Sequence, residues 1–356
     1  MVKRIFQGVG LLVVLALVVI AVSIVRFDKS KEELLPKYGA APSQFIELAS
    51  GATAHVRDQG NAEGPVIVLV HGSNASLHTW EPWVALLGAK YRIVTMDMPG
   101  HGLTGAVPGD DYSRGGMVTF THDVVTKLGL THYAIGGNSM GGGISAQYAE
   151  DYPAEVTALI LVDAAGLPRV MDPNAKVPLG FRLARLPVIS KLFQYLAPRG
   201  LYEEGVRKVF VDQSKVTEEM IERYYDLNLY DGNRRATGIR FAMPNNDTPV
   251  EGKLGVADKL GEIRVPTLIL WGEKDGLIPV ANAYEFEKRI QGAKAIVYPN
   301  VGHIPMEEVP EASAADVDAF LTAALMADGR PSPDHGAERA PVHHDGKVEI
   351  LPVSPE

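Results

Sequence analysis

The residues Gly137-Asn138-Ser139-Met140-Gly141 have the spacing G-x-S-x-G, directly after a short apolar run and directly before a helix-forming stretch. A sharp strand-to-helix turn leaves no room for side chains beside the serine, so glycine flanks it and the hydroxyl of Ser139 stands exposed. The helix that follows aims its first N–H groups at any anion formed there. The chemistry this suits is attack of a hydroxyl on a carbonyl carbon. A serine hydroxyl is too weakly acidic to attack alone at neutral pH, so a base must accept its proton. A pentapeptide with three fixed positions also arises by chance, and the same glycines, with Gly136, Gly142 and Gly143, suit a closely packed helix.

The candidate partners of Ser139 lie further along the chain, each just past a strand-like run. Asp275 follows Val265 to Leu270 within Trp271-Gly272-Glu273-Lys274-Asp275, and His303 follows Lys294 to Tyr298 within Gly302-His303. Ligand sites of open α/β sheets sit at such strand ends. His303 would take the serine proton and return it to the leaving alcohol, and Asp275 would hold the imidazole tautomer and stabilise its charged form. Asp163 ends the preceding strand and is the rival acid. Asp97 and His101, in Asp97-Met98-Pro99-Gly100-His101-Gly102, suit bracing of their own loop, and His71 suits a hydrogen-bonded scaffold role. Trp80, Trp83 and Phe120 are expected in packing.

To bring these residues together the chain needs a layered core. Phe45 to Leu48 and Thr53 to Arg57 alternate around Ser50-Gly51, as in an antiparallel hairpin. Apolar runs then recur at Val66 to Val70, Tyr91 to Met96, Tyr133 to Gly136, Ala158 to Val162, Val265 to Leu270 and Lys294 to Tyr298. Helical patterns fall at Trp80 to Leu87, Gly116 to Leu128, Met140 to Asp151, Val280 to Ile290 and Pro310 to Met326. Strands alternating with helices predict an α/β fold with a mostly parallel sheet covered on both faces. From Ala164 to Glu262 helical patterns occur without a convincing strand, which predicts an inserted helical lid. Its apolar residues Met171, Leu179, Phe181, Leu183, Leu192 and Phe193 would seal the core or line an acyl pocket.

Ser139, Asp275 and His303 in that chain order, with the G-x-S-x-G elbow and His71-Gly72 after an early strand, resemble the α/β-hydrolase superfamily in its branch of single-lid serine esterases. The resemblance covers roughly Ser43 to Met326. It implies an eight-stranded sheet, a helical lid after strand six, and a cofactor-free, metal-free active site. It also implies that Ser139 is the nucleophile, Asp275 the acid and His303 the base, with the backbone N–H groups of Ser73 and Met140 forming the oxyanion hole. Haloalkane dehalogenases and epoxide hydrolases of this fold carry aspartate where this chain has Ser139, which argues against both activities. Ester hydrolysis leads, with carbon–carbon bond hydrolysis, acyl transfer and slow-turnover ligand sensing as alternatives on the same scaffold. A polar clamp in the lid would favour carbon–carbon cleavage; Arg169, Arg182 and Arg185 lie there, and solvent-facing positions are the expected reading for each.

Ile5 to Val25 is apolar but for Gln7, Gly8, Gly10 and Ser23, long enough to span a bilayer core. A cleaved signal peptide is the rival reading, with Ala21 and Ser23 at the cleavage positions. The expected organisation is an anchor at 1–27, a linker or short amphipathic helix at 28–42, core at 43–163, lid at 164–262, core at 263–326 and a disordered tail at 327–356. The catalytic part is expected outside the cytoplasm, because long domains translocate despite flanking charge. With 34 Lys and Arg against 43 Asp and Glu, the net charge of −9 leaves no basic surplus for nucleic acid. The absence of cysteine excludes disulfides, thiolate nucleophiles and thiolate metal sites. His343-His344 in the tail lack a third ligand and read as solvated residues. The expected partners are an apolar ester and the membrane, with no obligate protein partner.

Overall fold

The computed structural model describes residues 25–167, 195, 197–243 and 259–327. Eight strands form one sheet: β1 (Ser43–Glu47), β2 (Thr53–Gly60), β3 (Val66–Val70), β4 (Arg92–Met96), β5 (Tyr133–Asn138), β6 (Val156–Val162), β7 (Thr267–Gly272) and β8 (Lys294–Tyr298). Their order is β1-β2-β4-β3-β5-β6-β7-β8. Only the β1–β2 and β2–β4 pairings are antiparallel. From β4 to β8 every pairing is parallel. The expected α/β fold with its mostly parallel eight-stranded sheet is therefore the fold observed.

Alternate residues of the inner strands feed two cores, as the two-residue period of a strand demands. On one face Val68, Val70, Val94, Met96, Ile135, Leu159 and Leu161 meet Met117 and Val124 of α3 (Arg114–Lys127), Ile144 and Tyr148 of α4 (Met140–Asp151) and Phe286 of α8 (Ala281–Arg289). On the other face Ile67, Leu69, Ile93, Ile160, Leu268 and Leu270 meet Trp83 of α2 (Glu81–Leu87) and Val317 and Leu321 of α10 (Pro310–Ala327). Trp80, Trp83 and Phe120 are all buried in packing, as expected.

Between β6 and β7 the described residues form three α-helices, two short 3-10 turns and no strand of the sheet: the α-helices are α5 (Arg199–Val209), α6 (Glu218–Asn228) and α7 (Asn233–Ala242). The six apolar residues and three arginines singled out in the expected lid lie outside the described residues, as do residues 1–24 and the tail from 328 on. No helix among the described residues is long and apolar enough to cross a membrane.

The 28–42 stretch contains a helix, α1 (Lys31–Tyr38), started by a capping box in which Ser30 and Glu33 bond reciprocally. Its Leu34 and Tyr38 are buried with Leu103 and with Leu227 of α6. The residues ahead of it are tied to the same helices. Arg234 of α7 donates to the carbonyl of Arg26 at 2.7 Å and pairs with Asp28. Lys29 pairs with Asp226 of α6 at 2.8 Å. Of the two forms expected for this stretch, the helix is the one present, and it is packed against the body.

Candidate active site

The turn after β5 is built by steric exclusion. A Cβ on Gly137 would come within 2.3 Å of the Gly141 backbone, and one on Gly141 within 2.1 Å of the Val70 carbonyl. Real side chains do not fit, so the serine between them is forced into a tight corner with φ 53° and ψ −118°. That conformation costs a non-glycine residue about 1–3 kcal/mol. It is held by three backbone hydrogen bonds: Ser139 N donates to Val162 O at 2.9 Å, and Ser139 O accepts from Gly143 N at 3.2 Å and Ala165 N at 2.9 Å. Ser139 and Met140 are only half-buried, while the whole of β5 behind them is buried. The hydroxyl therefore sits at the mouth of a rigid base.

Across the carboxyl ends of β7 and β8, Nδ1 of His303 lies 2.7 Å from Oδ2 of Asp275. The other Asp275 oxygen, Oδ1, accepts from Leu277 N at 2.7 Å and Ile278 N at 3.0 Å. The carboxylate is thus aimed by its own turn. An Nδ1–H donated to Asp275 leaves Nε2 of His303 as the proton acceptor. The histidine backbone is pinned on both sides: its N–H donates to Val209 O at 2.8 Å, and its carbonyl accepts from Nδ2 of Asn138 at 3.0 Å. Asn138 also donates to Val162 O. One amide thus ties the residue before Ser139 to the loop of His303.

Asp163 is completely buried beside this pair, and one oxygen each of Asp163 and Asp275 and a ring nitrogen of His303 lie within 4.8 Å of one another. Oδ1 of Asp163 accepts from Gly272 N at 3.0 Å, and Oδ2 is buried without a hydrogen-bond partner. Burial first, and then the charge of Asp275, push the Asp163 carboxyl well above the usual carboxylate range. A neutral acid is the species such a site tolerates. The three side chains have the spacing of a metal site, but the 2.7 Å contact between Asp275 and His303 is that of a hydrogen bond.

The loop after β3 approaches the serine from the other side. A Cβ on Gly72 would lie 3.3 Å from Cβ of Ser139 and 2.7 Å from Oδ1 of Asn138, so the backbone of this loop runs against the elbow. Ser73 follows Gly72 in this loop, and Met140 follows Ser139 in the elbow. Met140 is the first residue of α4, so its N–H has no acceptor within the helix. His71 fixes the loop. Its Nε2 accepts from Met98 N at 3.0 Å, so Nδ1 carries the proton and donates to Gly72 O at 2.7 Å. Burial lowers the His71 pKa, in keeping with a neutral ring.

Asp97 braces its loop as expected, and more broadly than its own turn. It accepts from Leu77 N, Leu103 N and the His55 ring, all between 2.6 and 2.7 Å. Nδ1 of His101 donates to Pro99 O at 2.9 Å within the same turn.

Two glutamates that carry no sequence motif hold the segment after His303. Glu308 accepts from Gly302 N, Val211 N and Asp212 N at 2.6 to 2.9 Å. Glu307, in α9 (Pro305–Glu308), takes Nη2 of Arg223 at 2.7 Å and the Tyr224 hydroxyl at 3.0 Å, both from α6, together with the Thr79 hydroxyl. The inserted helices are therefore latched to the loop that presents His303. Glu307→Ala would leave the Arg223 guanidinium buried without its carboxylate. We expect a loss of about 3–5 kcal/mol in unfolding free energy, measured by urea titration.

Residues 65–310 match the family model of the alpha/beta hydrolase fold. The chain belongs to that family, and within it is a lipase- or esterase-like serine hydrolase. It is 26% identical over 306 residues to Lipase 1 of Psychrobacter immobilis, a match covering 83% of this chain and 87% of the relative. It is 28% identical over 268 residues to a monoacylglycerol lipase of Mus musculus, covering 75% and 78%. Among solved structures, a putative lipase from Acinetobacter baumannii shares the fold with a TM-score of 0.69 at 22% identity, covering 85% of this chain and 99% of that one. A bacterial membrane phospholipase A shares it with a TM-score of 0.64 at 24% identity, covering 90% and 99%.

Proposed function

We propose that the protein hydrolyses carboxylic esters of apolar acids through an acyl-enzyme on Ser139, with His303 as base and Asp275 as its orienting acid. The observation that carries this reading is the 2.7 Å His303–Asp275 pair, tied through Asn138 to the elbow that displays Ser139. In the first half-reaction the Ser139 proton passes to Nε2 of His303 as Oγ bonds to the ester carbon. The carbonyl oxygen becomes an oxyanion facing the N–H groups of Ser73 and Met140. Removing one such donor typically costs about 3–4 kcal/mol of transition-state binding. Collapse breaks the ester C–O bond, and the proton held by His303 leaves with the alcohol. Water then repeats the sequence, giving its proton to His303 and releasing the acid and free Ser139.

The substrate class is supported by the relatives named as lipases, with an apolar acyl chain entering beneath a helical lid formed within 164–262. The membrane supplies the second half of the proposal: the apolar run from Ile5 to Val25 anchors the chain, with the catalytic part outside the cytoplasm. In support, the stem from Arg26 to Tyr38 runs along α6 and α7, so an anchor ahead of it would lie beside the lid. Steady-state hydrolysis of p-nitrophenyl esters from acetate to palmitate by the full chain tests the reading. Turnover with a chain-length optimum is expected, and the absence of turnover on every ester would overturn it. Equal rates on vesicle-embedded esters with and without residues 1–24 would count against the role of the anchor.

A further inference from the structure

Three arginines of the inserted helices, Arg223, Arg234 and Arg240, are buried or half-buried, and two of them are paired with carboxylates. Arg223 holds Glu307, and Arg234 holds Asp28. Arg240, in the last turn of α7, has no carboxylate partner among the described residues. Its Nη2 donates to Ser73 Oγ at 2.6 Å and reaches Asn74 Oδ1 at 3.5 Å, both neutral acceptors. Its Nε is buried with no acceptor. Burial alone pulls its pKa down to about 10, so the guanidinium still carries its charge at neutral pH. Nearby ionisable rings do nothing to offset that charge. His71 and His101 are fully buried, and their pKa values are lowered by burial and also by Arg240 itself.

The position of this cation is fixed and close to the chemistry. Ser73 adjoins Gly72, whose backbone lies against Ser139. Asn74 is held at φ 58°, with its carbonyl accepting from Nδ2 of Asn228 at 2.9 Å and its Oδ1 from the Thr237 hydroxyl at 3.3 Å. The guanidinium carbon also lies 4.6 Å from the centroid of the Phe241 ring, which leaves the buried Nε–H without an acceptor, and a desolvated guanidinium gains most from an anion that takes its unused N–H groups.

We propose that Arg240 is the anchor for an anionic group of the substrate, a carboxylate or phosphate carried a few bonds from the scissile ester. This rests on the ester-hydrolase reading: an anion on the alcohol side narrows its substrate class, and one on the acyl side replaces the apolar acid with an acidic one. Guanidinium binds both anions through paired N–H donors, and Nε–H together with the remaining Nη protons supplies that pair. An ester lacking the anion would leave the cation unmatched, which makes the contact a source of specificity.

The test compares wild-type full chain with Arg240→Gln and Arg240→Lys on two matched pairs of esters. One pair is p-nitrophenyl butyrate and mono-p-nitrophenyl glutarate; the other is a monoacylglycerol and the acylglycerol 3-phosphate with the same acyl chain. The readout is the ratio of kcat/KM for the anionic ester to that for its neutral partner. Arg240→Gln is expected to lower that ratio about 30-fold in at least one pair, with partial recovery in Arg240→Lys. A fall in the glutarate pair alone places a carboxylate on the acyl side, and a fall in the glycerol pair alone places a phosphate on the alcohol side. An unchanged ratio in both pairs overturns the proposal, whatever happens to the absolute rates. If no ester is turned over, the hydrolase reading fails instead. The arginine is then judged by calorimetric binding of glutarate and of glycerol 3-phosphate. Binding to wild type that Arg240→Gln abolishes upholds the anion site, and no binding to wild type overturns it.

Discussion

Ser139→Ala is expected to lower kcat for ester hydrolysis by roughly 10⁴- to 10⁶-fold while leaving KM within a few-fold and the fold intact. The size follows from what the substitution removes. Without Oγ the proposed acyl-enzyme cannot form, and only substrate positioning and the proposed oxyanion donors, the N–H groups of Ser73 and Met140, would remain to accelerate the reaction. Folding should not suffer, because alanine fills the same corner and the bonds holding it are backbone bonds to Val162, Gly143 and Ala165. Thermal unfolding of the variant beside its kinetics checks both parts. A residual rate within tenfold of wild type would mean that Ser139 is not the nucleophile.

The two buried aspartates should respond very unequally to the same change. Asp275→Asn places an amide against Nδ1 of His303, removes the charge that stabilises the imidazolium and favours the wrong tautomer. We expect a loss of about 10⁴-fold in kcat at neutral pH. Asp163→Asn replaces a carboxyl that its burial and the charge of Asp275 push toward the neutral form, so it should cost less than tenfold. The pH dependence of stability separates them further. Asp163 has its pKa raised on folding, so between its unfolded and folded values the native state binds the extra proton. Stability therefore falls as pH rises through that window, since ionisation is easier in the unfolded chain. Asp163→Asn should flatten that decline, measured by urea unfolding from pH 5 to 9. Losses of equal size in the two variants would contradict the assignment of Asp275 as the acid.

What could be read from the chain in advance was whatever its chemistry confines to neighbours in sequence. The serine elbow is local, since Gly137 and Gly141 are required within four residues of one another. The strand Val66–Val70, the strand Lys294–Tyr298 and the helix Met140–Asp151 fall where their patterns put them. The strand before Asp163 begins at Val156, two residues earlier than its apolar run, because pairing with β5 reaches past the hydrophobic part. The helix Pro305–Glu308 was not foreseen, being a single turn with a proline at its head and no room for a periodic pattern.

Partnerships made across the fold left no local trace. Asp163 and Asp275 both lie just past the ends of strands, and only the closure of the sheet shows which one bonds to His303. Glu307 stood beside His303 in sequence, but its role depends on Arg223 and Tyr224 from a helix far upstream. Arg240 is one basic residue among 34 lysines and arginines until its neighbours are known. The 28–42 stretch was legible only as a linker or short helix, and its docking on Leu103 and Leu227 left no trace in the sequence.

The central claim is that Ser139 is a single activated hydroxyl. The most direct measurement is intact-mass analysis of the full chain after brief exposure to a fluorophosphonate, followed by peptide mapping. The account predicts one phosphonyl group per chain, carried on the peptide containing Ser139, and no labelling of Ser139→Ala or of His303→Ala. Ester turnover by a protein that takes up no label at Ser139, or takes it up on another residue, would contradict it.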